Sequence, residues 1–292
     1  MEYARLLEEY APAAAPAQVA ETVERCKSLS SGNMTSEVFK LCYSCLDLTT
    51  LNCTDSDESV AAFAGKVAAH SGHFPQVPNV ATICVFPSFI DIVGINLGES
   101  KVGITSVAGA FPASQTFLEV KMLEVAMAVE SGADEVDIVI SVGKLLEGRN
   151  DEVANEIETI RNEAGEDTVL KVIIESGALK TPEPIRRASL LSMLAGADFV
   201  KTSTGKIDVA ATPEAAVVMC TAIRDYHARS GRKVGFKAAG GVRSAEDAAL
   251  YYTIVKEILG EEWLTPKLFR IGASSAANNL LSAIEGREVK YF

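Results

Sequence analysis

The chain has 292 residues, of which 48% are hydrophobic but only 7% aromatic, and a formal net charge of −12. That charge opposes long-range attraction to nucleic acid or anionic membranes, although a local positive pocket for a small anion is still allowed. No run reaches the roughly 18 apolar residues of a spanning helix, and the acidic start MEYARLLEEY fits neither a secretory signal nor an Arg-rich transit peptide.

Residues 1–40 are Ala-rich and helical in pattern, broken by APAAAPA and SLSSGNMTS. They are expected to form a helical extension over one end of the core. From 41 to 286, short apolar runs alternate with longer amphipathic ones. The first strand-like run is CYSCLDLTTL, followed by VATICVFP, KVGITSVAG, EVDIVIS, LKVIIES, FVKTSTG, VGFKAAG and LFRIGASS. All are bounded by Gly, Pro or Ser and rich in β-branched residues. Between them lie stretches with helical spacing, such as DESVAAFAGKVAAH, NDEVANEIETIRNEAG and TPEAAVVMCTAIRDYHARSG, with Thr212-Pro213 or Ser244 at starts and Gly165, Gly196 or Gly260 at ends. Eight strict βα units without a GxGxxG or P-loop sequence predict one (β/α)8 barrel, a TIM barrel, of the α/β class. Residues Gly132-Ala133-Asp134 and Gly196-Ala197-Asp198 echo each other before the fourth and sixth strands. The closing stretch 287–292 has too little apolar pattern for another element and is expected to be mobile.

Six cysteines without framework spacing read as reduced thiols of a cytoplasmic protein, with no disulfides. Cys42 and Cys45 form a lone CxxC in an apparent strand, which favours packing over metal or redox chemistry. His70 and His73 fall at a helix end and read as solvated loop histidines.

In a barrel of this kind the active site lies at the carboxyl ends of the strands. Three charged residues sit within otherwise apolar strand runs: Asp137 in VDIVI, Lys201 in FVKTST and Lys237 in VGFKAAG. A buried salt bridge is the plain explanation, but two lysines and one carboxylate leave a positive charge over. Like charges about 6 Å apart repel by roughly 3 kcal/mol at an effective dielectric near 20, enough to depress one lysine by about two pKa units. A depressed lysine is a nucleophile for carbonyls. Small residues close the last three strands, as Gly205-Lys206, Gly240-Gly241-Val242-Arg243 and Gly272-Ala273-Ser274-Ser275. These fit a phosphate cradle of backbone amides, with Ser274 or Ser275 adding a hydroxyl at the start of the last helix.

Together the segments LDLTTLN, TICVFPSFI, GADEVDIVI, LKVIIESGALK, AGADFVKTSTGK, ATPEAA, VGFKAAGGVRSAEDA and IGASS resemble the deoxyribose-phosphate aldolase family, from about residue 40 to 285. The resemblance implies that Lys201 forms an imine with the aldehyde, that Lys237 lowers its pKa, and that Asp137 relays protons. It also implies that Asp47, Thr49, Cys84, Thr204 and Lys206 line the substrate channel, and that Gly205, Gly240, Gly241, Val242, Arg243, Gly272, Ser274 and Ser275 hold the phosphate. No metal or other cofactor is implied, since the protonated imine is itself the electron sink. The implied substrate is 2-deoxy-D-ribose 5-phosphate. The net charge leaves no nucleic-acid or membrane partner expected, and a homodimer is compatible with the sequence, which does not set the oligomeric state. The sequence departs from relatives in Ala238 where many have Pro, in FPASQT in place of a His-Gly version, and in placing Tyr291 before Phe292 where many end in a tyrosine that folds over the site; Tyr291 is the candidate catalytic phenol of this tail, able to exchange a proton with the enamine carbon. A ketose-using Schiff-base aldolase or transaldolase, and a catalytically silent binding scaffold of the same fold, are the alternative readings.

Overall fold

The computed structural model describes residues 2–292. Three helices come first: α1 (Glu2–Leu7), α2 (Pro16–Ser30) and α3 (Ser36–Ser44). Then β1 (Leu46–Thr49), α4 (Asp57–His73), β2 (Thr82–Val85), α5 (Ile90–Leu97), β3 (Gly103–Val107), α6 (Leu118–Glu130) and β4 (Glu135–Val139) follow. After these come α7 (Val142–Leu146), α8 (Asn150–Ala164), β5 (Val169–Ile173), α9 (Ser176–Leu179), α10 (Pro182–Leu194) and β6 (Phe199–Lys201). The last elements are α11 (Pro213–Ser230), β7 (Gly235–Ala239), α12 (Ala245–Leu259), β8 (Phe269–Ala273) and α13 (Ser275–Glu285). The eight strands pair in parallel, each with its sequence neighbour, and β1 closes on β8. This is the expected TIM barrel.

Period-two alternation explains why the strand runs read as they do. Leu46, Leu48, Ile83, Val136, Ile138, Leu170, Val172, Val200 and Phe236 are buried in the main apolar core, under the helical ring. Alternate residues point inward, and here they are largely polar: Asp47, Thr82, Thr105, Glu135, Asp137, Lys171, Lys201, Lys237 and Arg270 are all buried. A barrel interior usually holds layers of Val, Ile and Leu. This one holds charge.

The GAD echo has a geometric cause. Gly132 and Gly196 have φ of +98° and +101°, and in each case the following alanine donates its amide to the carbonyl five residues back, Ala128 or Ser192, at 3.0 Å. The helix end is thus a Schellman turn. Each aspartate then accepts a neighbouring strand's amide, Asp134 from Ile104 at 2.8 Å and Asp198 from Leu170 at 2.9 Å.

Several local expectations are corrected. The run CYSCLDLTTL is not one strand: Thr35 caps α3 by accepting from the Val38 amide, so Cys42 lies in a helix, Cys45 at its end, and the strand starts at Leu46. Both thiols are buried, and burial pushes Cys45 up to about 12. Among the described residues the six cysteines are free and no cluster of three metal-ligating side chains occurs. His70 is not solvated, because α4 runs on to His73 and packs the His70 ring, 0% exposed, 5.2 Å from Tyr43 and 5.3 Å from Phe74. Nor do α1 and α2 cover a barrel end. They lie against the outer helices, α1 on α8 and α10, and α2 on α11 and α12.

Segment 287–292 forms no further element, but it is packed rather than loose. The amides of Tyr291 and Phe292 both donate to Asn278 Oδ1, at 2.9 and 3.0 Å, and the Tyr291 hydroxyl donates to the Lys66 carbonyl at 2.7 Å. Among the described residues no helix is long and apolar enough to cross a membrane.

Candidate active site

The barrel register places the charges. Lys201 pairs with Lys237 across β6 and β7, Asp137 with Lys171 across β4 and β5, and Lys237 with Arg270 across β7 and β8. Asp137 Oδ2 receives Lys201 Nζ at 2.6 Å and Lys237 Nζ at 2.7 Å, while Oδ1 receives Lys171 Nζ at 2.8 Å. Beneath these, Lys171 also meets Glu135 at 2.6 Å, Lys237 meets Asp47 at 2.5 Å, and Arg270 bridges Glu135 at 2.7 Å and Asp47. Thr82 and Thr105 complete the lattice, donating to Asp47 at 2.9 Å and to Glu135 at 3.1 Å.

Three carboxylates therefore face four cations, leaving one positive charge over. The excess is not shared equally. Burial tends to raise the Asp137 carboxyl, but the three lysines outweigh it and hold it well below the ordinary carboxylate range. Burial lowers Lys171 and Lys237 too, but their carboxylates overcome it and both end above the ordinary lysine value. Lys201 has a single carboxylate, Asp137, to pull it up, with a smaller upward pull from Cys84. Burial, seconded by the Lys237 charge, wins there and leaves its ammonium below the ordinary lysine range. Of the four cations it is the most weakly held.

Lys201 is also the one of these four that reaches a cavity of about 590 Å3 at the carboxyl ends of the strands. Thr49, Thr204 and Lys206 line the same cavity, as do Gly205, the run from Gly240 to Arg243, Gly272, Ser274 and Ser275. Gly240 has φ +78° and a Cβ there would come within 2.6 Å of the Ala210 Cβ, so glycine is required both for conformation and for space. Ser274 and Ser275 stand where α13 begins, so the helix amino end faces this wall.

Asp137 and Lys237 do not line the cavity; Asp137 lies directly behind Lys201, 2.6 Å from its Nζ, with Lys237 on the same carboxylate oxygen. Asp47, expected in the channel, is instead wholly buried among Arg270, Lys237 and Thr82, because it points into the closed interior below the mouth. Cys84 is likewise buried, in a small apolar cluster with Leu51 and Val107. Tyr291 stands apart, its hydroxyl on Lys66 and its ring against His73 and Phe74, while Phe292 supplies the cavity wall beside Phe63. Glu175 was not anticipated. At φ +53° after β5, it accepts from the Thr204 amide at 3.2 Å and the Thr204 hydroxyl at 2.5 Å, fixing the strand end that carries Lys201.

A lysine of lowered pKa, backed by a carboxylate and facing a cavity with an anion-binding wall, suits carbonyl chemistry on a small phosphorylated aldehyde. The DeoC/LacD family aldolase model matches residues 43–261. A Caenorhabditis elegans protein named "Putative deoxyribose-phosphate aldolase" is 45% identical over 82% of this chain and 79% of its own length. The Homo sapiens deoxyribose-phosphate aldolase is 40% identical over 82% of this chain and 77% of its own. Among solved structures, a tetrameric deoxyribose phosphate aldolase from Aeropyrum pernix superposes with a TM-score of 0.66 at 26% identity, covering 88% of this chain and 97% of that one. The chain is thus an enzyme of the lyase class. It belongs to the DeoC/LacD aldolases and, within them, to the deoxyribose-phosphate aldolase family.

Proposed function

We propose that the chain reversibly cleaves 2-deoxy-D-ribose 5-phosphate to acetaldehyde and D-glyceraldehyde 3-phosphate through a Schiff base on Lys201. The carrying observation is that Lys201, among four buried cations, combines a lowered pKa with a place on the cavity wall. Its neutral amine adds to the C1 aldehyde, and loss of water gives the iminium. The C3 hydroxyl passes its proton to Asp137 through a bridging water, and the C2–C3 electron pair moves into the iminium as the triose phosphate leaves. The resulting enamine takes a proton at C2, and hydrolysis releases acetaldehyde and restores the amine. Lys237 keeps positive charge beside Lys201, so the amine is neutral at a lower pH than a free lysine would be. The glycine loops and the α13 amino end take the phosphate, whose binding energy positions the reacting carbon.

Turnover of 2-deoxyribose 5-phosphate in a chelator tests this, beside a ketose phosphate of similar size. Cleavage of the deoxy-aldose at an undiminished rate, with the ketose inert, is expected. Preference for the ketose would assign the site to a different aldolase reaction.

A further inference from the structure

Away from the active site, a second cavity of about 360 Å3 lies among α2, α9, α10 and α11. Its walls are mainly aliphatic, with Val19, Ile185, Val209 and Val218 prominent. Ser176 also lines it, and this residue is only 3% exposed. Among the described residues its Oγ has no hydrogen-bond partner. Buried hydroxyls are normally paired, as Ser189 and Ser192 nearby show by donating to the carbonyls of Ile185 and Ala188. The Ser176 hydroxyl is not used in this way. Lys180 and Glu214 contribute to the same cavity with opposite charges, so it favours neither an anion nor a cation. A dry apolar cavity of about 150 Å3 is enough to hold benzene, and this one has room for a fused bicyclic ring.

We propose that this cavity binds a small, neutral, mainly apolar molecule of bicyclic size whose single N–H, hydroxyl or carbonyl pairs with the Ser176 hydroxyl, and that binding adjusts the phosphate end of the active site. The connecting part is the loop from Gly205 to Thr212. Val209 in this loop rests on α9 so closely that a Cβ on Gly177 would lie 1.9 Å from the Val209 carbonyl oxygen. On its other side the loop touches the glycine turn after β7, with the Ala211 amide donating to the Gly240 carbonyl at 3.2 Å. Ser176 is itself tied to the site, since its amide donates to the Thr202 carbonyl at 2.8 Å and its neighbour Glu175 holds Thr204. A molecule seated between Ser176 and Val209 thus presses on the loop that carries Gly205 and Lys206. The coupling rests on the sugar-phosphate reading of that site, whereas the binding does not.

Indole serves as the probe, being neutral and bicyclic with one N–H. Calorimetry on the full chain should give saturable binding at one site. Val218→Phe, which fills the cavity, should abolish it. Ser176→Ala should weaken it about fivefold, the worth of one ordinary hydrogen bond, and should raise the Tm of the protein without indole because an unpaired hydroxyl is gone. Absence of saturable binding at millimolar indole, or binding that neither substitution changes, overturns the site. Indole should also shift KM for 2-deoxyribose 5-phosphate at least twofold while leaving imine formation with acetaldehyde, which has no phosphate, at its original rate. An unchanged KM overturns the coupling. Saturable binding in a chain that cleaves no 2-deoxyribose 5-phosphate would sink the proposed reaction and leave the binding site standing.

Discussion

Replacing Lys237 with Leu should retune Lys201 without dismantling the barrel. The two ammonium nitrogens share one oxygen of Asp137, at 2.6 and 2.7 Å, so they stand no more than about 5 Å apart. At an effective dielectric near 20 their repulsion is roughly 3 kcal/mol, a factor of about 10² in an equilibrium constant. Removing Lys237 also leaves Asp137 with one fewer cation, so its hold on Lys201 tightens and the effect goes the same way. The interior then has three carboxylates facing three cations. Asp137 keeps Lys171, and Asp47 keeps Arg270, so no buried carboxylate is stranded. Imine formation should therefore slow by up to about 10² near neutral pH, and its alkaline limb should move to higher pH. Lys237→Arg, which keeps the charge, should restore most of the wild-type limb. Single-turnover trapping of the acetaldehyde imine, followed from neutral to alkaline pH, measures this directly. A limb that stays in place in Lys237→Leu would refute the charge argument.

Three further outcomes follow from the same geometry. The buried His70 is held at a pKa of about 4 by burial and by the nearby His73. An unfolded histidine takes up a proton below about 6.5, so the unfolded state binds more protons between these values and stability falls as pH drops through that window. His70→Phe should flatten the Tm profile between pH 6.5 and 4, and identical slopes in the two proteins would contradict it. Gly240→Ala, forced into φ +78° and against Ala210, should raise KM for the phosphorylated sugar about tenfold or more. Imine formation with acetaldehyde should stay near wild type, and an unchanged KM would remove Gly240 from the phosphate wall. With its hydroxyl on the Lys66 carbonyl, Tyr291 should be dispensable, so Tyr291→Phe should exchange acetaldehyde methyl protons with solvent within about threefold of wild type. A loss of about 10², as expected for a missing general acid–base group, would show instead that the segment leaves Lys66 and enters the site.

How much of this was legible in the sequence depended on whether the signal was local. The eight strands were, since each is a short β-branched run between Gly, Pro or Ser. Asp137, Lys201 and Lys237 stood out because apolar residues flank each of them. Glu135, Lys171 and Arg270 were passed over because each lies at or near the start of its run, where a charge reads as a strand end. Parity would have found Glu135, which sits two residues before Asp137 and so faces the same way. Lys171 and Arg270 required the register as well, because their partners lie on other strands. That missing lattice is also why Asp47 was expected in the channel. Cys42 and His70 differ from their sequence reading for two reasons: the Thr35 cap on the Val38 amide is a local signal that the apolar run around Cys42 masks, whereas the Tyr43 ring that stacks on His70 comes from another helix and leaves no local trace. Glu175 carries a left-handed backbone that nothing in its composition announces.

In this mechanism Lys201 is the residue that becomes covalently bound to substrate. Borohydride reduction during turnover of 2-deoxyribose 5-phosphate, followed by peptide mapping, identifies that residue. A carbon adduct is expected on the peptide bearing Lys201, abolished in Lys201→Arg. An adduct on Lys237, Lys171 or Lys206, or none while cleavage proceeds, would contradict it.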